Sequence, residues 1–285
     1  MSADASPDAR LGFYGPASQM WRVNREAVLL GSGPAALLLQ LAHPLVAEGV
    51  AAHSDFASDP FARLRRTLRT TLAVVFGDGP TAERAVRELN RVHARVRGPV
   101  SDPLATATTG ARHYRALDPE LLLWVQATLV IMSVRAYDRW VASISPADCE
   151  RLWLESRATG QRLGLPLSAS PGSWAELLAW FERQMAPGGP VVVTPTARRL
   201  ADSIVRPPLP LVPRALVDLA VLPGLALLPP PIREGYGLDW STRQEVLAGT
   251  LGAGLRTWVR LTPRSWRAMP PARDAERRVV AVPGA

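Results

Sequence analysis

The sequence predicts an all-α fold: a single globular helical domain with proline-rich connecting segments in its C-terminal third. Three observations carry that expectation. Apolar residues recur at helical spacing through the first two thirds of the chain. The period-2 alternation of a half-buried strand is nearly absent. The longest uncharged apolar run, "LLLWVQATLVIMSV" at Leu121–Val134, has 14 residues, short of the roughly 20 that a bilayer-spanning helix needs, and reads as a helix buried inside protein.

The elements follow in order. Residues 23–42 are apolar but broken by "GSGP" at 31–34, which predicts a bend or two helices. Pro44 suits a first helical turn, so "HPLVAEGVAAHSDF" predicts a short helix. "DPFARLRRTLRTTLAVVFG" is a strong helix, with Asp59 as cap, Pro60 at its start and Gly77 at its end. "PTAERAVRELNRVHARVRG" follows, with Thr81 as cap and Gly98-Pro99 as stop. Asp118-Pro119 opens the buried helix, 119–140, and Ser145-Pro146 opens another that runs to about 163. Ser170-Pro171 precedes a helix over 174–185.

After residue 186 the texture changes. "MAPGGPVVVTPTAR" suggests a short extended piece, while "RPPLPLVP" and "LLPPPIREGYG" are proline-dense, with helices fitting between them near 195–205, 214–222 and 241–260. Residues 262–285, rich in Pro, Arg and Ala, read as a loosely ordered tail.

Composition narrows the function. Hydrophobic residues at 47% and charged residues at 20% exclude a disordered chain. All 33 basic residues are arginine and the formal charge is +8. They are spread along the chain with no binding motif to organise them, so solvated helix faces and some anion contacts are expected, not nucleic acid. The single cysteine, Cys149, excludes a disulfide within the chain and a cysteine-based zinc site. The start, "MSADASPDARLGFYG", has no basic region followed by an apolar stretch, so no secretory signal is expected, no transmembrane segment either, and a cytoplasmic location. No phosphate loop in strand-to-helix context, HExxH, GxSxG or paired-carboxylate motif is present.

Four histidines remain. His113 lies in the loop-like "GARHYRALDP" and reads as surface. His43 precedes a proline at a helix junction and can satisfy a helix end. His53 sits before "SDF" and can partner a local cap. His93 differs, because it falls in line with Val86, Leu89 and Val96 on the apolar face of its helix. An imidazole there needs partners for its nitrogens. A hydrogen-bonded core histidine and a metal or heme ligand both satisfy that need. One helix upstream, Arg63, Arg66, Thr67 and Thr70 share a broad face beside the apolar stripe Leu64, Leu68, Leu72 and Val75. That face is either an exposed basic surface or the lining of a polar, anionic pocket.

The ordered set "LLLQLAHPLVAEGVAAHSDF", "DPFARLRRTLRTTLAVVFGD", "NRVHARVRG" and "YRALDPELLLWVQATL" resembles the DUF2236 family over about residues 25–240. This is the family of the latex clearing proteins (rubber oxygenases) and of the fungal oxygenase that cleaves a farnesyl side chain in mycophenolic acid biosynthesis. The resemblance implies a helical domain around a heme pocket, one heme b, and His93 as the iron's histidine ligand. It implies Arg63 and Thr67 as the distal pair. Arg66 stands where the rubber oxygenases carry an iron-capping lysine, and a guanidinium is a poor iron ligand. Water or His53 would then fill the sixth position, and His43, Glu48 or His53 would supply any base. Gln126 stands where many relatives have a histidine that supports the proximal side. The implied activity is a heme-dependent oxygenase of bacterial type. It would use dioxygen, an unidentified electron donor and a small hydrophobic substrate of isoprenoid or other alkene type. A peroxidase-like or gas-binding heme protein, or a heme-free helical module that binds a lipid or a partner, are the alternatives.

Overall fold

The computed structural model describes residues 10–53, 60–207 and 211–280. Most helices begin where a short polar side chain can cap them. α1 (Gln19–Asn24) is capped by Ser18, whose hydroxyl accepts from Trp21 N. The break at 31–34 becomes a 3-10 turn over Ala27–Ser32 followed by α2 (Gly33–Leu41), with its proline in the first turn. α3 (Pro44–His53) starts at its proline as expected. α4 (Pro60–Phe76) and α5 (Gly79–Arg95) pack against each other as a helical hairpin closed by Gly77 and Asp78. The expected cap of α4, Asp59, lies outside the described residues.

Two expectations for α5 need correction. Its cap is Asp78, not Thr81: the Thr81 amide donates to Asp78 Oδ1 at 2.9 Å. Pro80 occupies the first turn, where its missing N–H costs nothing, and the carboxylate sits at the positive end of the helix. The helix also ends at Arg95, before Gly98-Pro99. Those residues belong to β1 (Arg97–Pro99), which pairs antiparallel with β2 (His113–Arg115), Gly98 opposite Tyr114. Strands of three residues are too short to carry a readable alternation. Between them, α6 (Pro103–Thr109) is capped by Asp102 and closed by Gly110 at φ 69°, a left-handed turn suited to glycine.

The core is built on α7 (Pro119–Trp140), capped by Asp118 as expected. It runs 22 residues, enough in length and composition to cross a bilayer, yet 67% of its most apolar stretch is buried against other parts of the chain. α2, α8 (Pro146–Arg162), α9 (Trp174–Met185) and α13 (Thr242–Leu261) surround it. Trp124 stacks on Phe181 at 5.4 Å and donates its indole N–H to Gln40 O. α10 (Pro195–Val205) and α11 (Arg214–Leu225) pack on α2, and α12 (Pro230–Gly235) leads to Tyr236, which donates to Leu38 O at 2.7 Å. Residues 191–194 pair with no strand among the described residues, but Val191 and Val193 insert into this core.

The tail is the third correction. α14 (Arg264–Arg267) and α15 (Pro270–Val280) are ordered, and Met269, Ala272 and Ala275 join a second core cluster with Trp21, Val75 and Phe76. Met269 N donates to Arg25 O, and Ala268 bridges to Glu26. Arg278 donates to Phe76 O and to Arg10 O. Alanines at i and i+3 do not register as an apolar stripe, but their small side chains let α15 approach closely.

Candidate functional site

The helical hairpin sets the site's geometry. Position 63 lies 14 residues before Gly77, and His93 lies 15 residues after Asp78. At about 1.5 Å of rise per residue these two positions stand level on the antiparallel arms. The apolar stripe of α4 grows more buried toward the turn: Leu68 and Leu72 are half-buried and Val75 is buried. Thr67 is exposed and Thr70 half-buried. The side chains of Arg63 and Arg66 lie outside the described residues.

On α5 the predicted seam is only partly covered. Val86 is buried, but Leu89, His93 and Val96 are each half-buried. His93 Nδ1 is buried and has no hydrogen-bond partner among the described residues. Burial holds the imidazole pKa below its usual value, which favours the neutral ring. Asn90, one turn before it on the same face, donates to Arg162 O at 3.0 Å while its Oδ1 is buried without a partner among the described residues. Among the described residues the ring at position 93 is therefore not held by a completed hydrogen-bond pair.

A second group forms where the end of α5 meets α3 and the small sheet. Gly49 approaches so closely that a Cβ there would touch Val96 and Tyr114 at 3.5 Å. Glu48, buried on α3, accepts from Ser101 N at 2.6 Å and from its hydroxyl at 2.7 Å, while its second oxygen is unpartnered among the described residues. His53 is exposed, sits edge-on to Tyr114 at 6.0 Å, and its Nε2 lies 3.2 Å from Arg97 O. It ties α3 to β1. Sequence reasoning missed Ser101, Tyr114 and Asn90, because none carries a local signal; only the fold brings them beside these elements.

His43 and Gln126 are engaged elsewhere. His43 is buried, accepts from Leu45 N at 3.3 Å and lies 6.2 Å from the Trp124 ring. Burial pushes its pKa down to about 4. Gln126 donates to Ser156 O at 2.6 Å and to Ser156 Oγ at 3.0 Å on α8, so its amide N–H groups support that helix contact. His113 is exposed on β2. A cavity of about 670 Å³ opens between α1, α7 and the C-terminal helices, and none of the candidate residues lines it. Among the described residues no group of three or more His, Cys, Asp or Glu could hold a bare metal ion.

Residues 21–262 match the family described as "ER-bound oxygenase mpaB/B'/Rubber oxygenase, catalytic domain". The chain is also similar to the uncharacterized proteins Mb2261 of Mycobacterium bovis and Rv2237 of Mycobacterium tuberculosis. Each is 27% identical over 244 residues, covering 82% of this chain and 90% of the relative. No solved structure matches.

Proposed function

We propose a function from one established premise: the chain belongs to the mpaB/rubber oxygenase family. Our reading is a heme-dependent oxygenase that acts on a small hydrophobic substrate of isoprenoid or other alkene type. The observation that carries it is the imidazole of His93, whose buried Nδ1 has no partner among the described residues, on a half-covered apolar seam.

The residues present fit heme. A porphyrin supplies four nitrogens itself and needs one more from the protein, so a lone histidine suffices where a bare ion needs a cluster. Leu89 and Val96 flank His93 with apolar surface still to be covered. The neutral ring offers one nitrogen as ligand and the other as donor to a nearby acceptor, which fixes ring orientation. When bound, heme would supply a redox-active iron able to activate dioxygen.

The chain's own contribution follows from residue chemistry. Arg63 carries a permanent charge and Thr67 a hydroxyl, and both would donate hydrogen bonds to dioxygen as negative charge builds on it. Arg66 would add positive charge without competing for the iron. Glu48, buried with one free carboxylate oxygen among the described residues, is the proton acceptor we assign within the α3 group, since His53 is exposed to solvent. The arginine at position 66 also favours a second reading, a peroxidase-like heme protein with the same ligand. Peroxide turnover compared with dioxygen uptake on alkenes separates the two.

The test is spectroscopic. Purified chain titrated with hemin should develop a Soret band. His93→Ala should weaken hemin binding by at least about tenfold while its circular dichroism stays helical. Arg63→Ala should keep the band and lose dioxygen uptake. Equal hemin affinity in wild type and His93→Ala would remove His93 from the site, and the heme reading with it.

A further inference from the structure

The cleft between α1, α7 and the C-terminal helices is untouched by this reading. It encloses about 670 Å³, and its walls carry Arg22, Arg25, Arg256, Arg260, Arg264 and Arg267. The lining carboxylates are Glu26 and Glu276, so six guanidinium groups against two carboxylates leave a formal charge of +4. Like charge gathered in a partly enclosed space is costly unless something offsets it.

Pairing within the chain offsets part of it. Arg25 meets Glu276 at 3.0 Å, and Arg256 donates to Asp138 O at 2.9 Å. Arg267 Nε lies 3.4 Å from Glu26 Oε2, close enough for attraction but not aligned as a hydrogen bond. Arg22 reaches Asp148 at 3.6 Å. Arg260 and Arg264 are exposed and make no hydrogen bond or ion pair among the described residues. Four buried N–H donors on lining residues also lack an acceptor there: the Nε of Arg25, Arg256 and Arg267, and the indole nitrogen of Trp21, a residue only 1% exposed.

We infer that this cleft binds a phosphoryl-bearing anion with at least two negative charges. Guanidinium forks match phosphate oxygens two at a time, and a diphosphate presents several such oxygens on one ligand. The walls of Trp21, Tyr137 and Val259 suit an organic portion attached to it, and the volume is that of an ordinary small-molecule site. The phosphoryl group can belong to a free metabolite or to a lipid headgroup. The second source has support in Trp258, Leu261 and Trp266, which stand exposed and are neighbours of Arg260 and Arg264 in the chain.

Calorimetric titration of the full chain with inorganic pyrophosphate, at about 0.15 M salt to screen loose surface attraction, tests the shared chemistry. Phosphatidylglycerol vesicles against pure phosphatidylcholine vesicles, read by co-sedimentation, test the lipid source. Saturable one-to-one pyrophosphate binding is expected, weakened at least about tenfold by Arg260→Glu or Arg264→Glu. Both residues are exposed and make no hydrogen bond or ion pair among the described residues, so the variants should fold. Arg87→Glu on the exposed face of α5 should bind like wild type. Binding to the anionic vesicles alone, abolished by the same two reversals, also upholds the site and assigns its ligand to a headgroup. Failure of both probes to bind, or binding that the two reversals leave unchanged, overturns the inference.

Discussion

His43 and His93 are both desolvated imidazoles, and they differ in what their nitrogens meet. His43 Nδ1 accepts from Leu45 N and so closes the first turn of α3; His93 Nδ1 meets no partner among the described residues. The first is a finished structural contact with a measurable consequence. Its folded pKa, about 4, lies below the usual value of 6.5, so the unfolded chain takes up a proton first as pH falls. Stability contributed by the neutral ring is therefore complete above pH 6.5 and is lost progressively down to pH 4, about 3 kcal/mol in all. Urea denaturation across that window should show the slope, and His43→Asn, which keeps an acceptor for Leu45 N, should flatten it. An unchanged slope in the variant would assign the effect to another group. At this scale His93 was legible in the sequence through its 3.6-residue periodicity. The carboxylate of Glu48 was less so, because its meaning depends on Ser101, 53 positions away.

Among the elements, helices were readable and their partners were not. Proline in the first turn and a capping Asp, Ser or Thr directly before it fixed the starts of α7, α8 and α10 through purely local bonds. The two short strands needed each other to exist, and nothing local announces a three-residue pairing across 13 intervening positions. The start of α5 lies between these cases, since both Asp78 and Thr81 can cap. The carboxylate prevails because Pro80 suits the first turn and the helix dipole favours charge over hydroxyl. Asp78→Ala should cost about 1 kcal/mol in chemical denaturation, with Asp78→Asn recovering most of it. Thr81→Ala should cost less than Asp78→Ala; the reverse order would restore Thr81 as the cap. Since α5 carries His93, the Asp78 variants also test how far hemin binding depends on a firm hairpin.

At the scale of the whole molecule, the C-terminal segment completes two separate parts of the structure. It contributes Met269, Ala272 and Ala275 to the cluster that supports the turn of the α4–α5 hairpin, and it supplies Arg264, Arg267 and Glu276 to the arginine-lined cleft. Its composition gave no sign of this, because Pro, Arg and Ala describe a solvated tail as well as they describe a helix docked on small side chains. Docking has consequences that a solvated tail lacks. Removing residues 264–285 deletes the burial of Met269, the bond from Met269 N to Arg25 O, and the bond from Arg278 to Phe76 O at the end of α4. Buried side chains of this size contribute about 1.5–3 kcal/mol and each hydrogen bond about 1, so the truncated chain should lose at least about 3 kcal/mol. For a chain of this size that is a fall in Tm of about 6 °C or more. Hydrogen exchange should quicken first at the C-terminal turns of α4, around Val74–Phe76, where the cluster opens, while α7 keeps its protection within the main core. A truncated chain with an unchanged Tm and unchanged exchange in α4 would mean that the segment does not dock. The hairpin that carries His93 would then stand without its support, and the cleft would lose one of its walls.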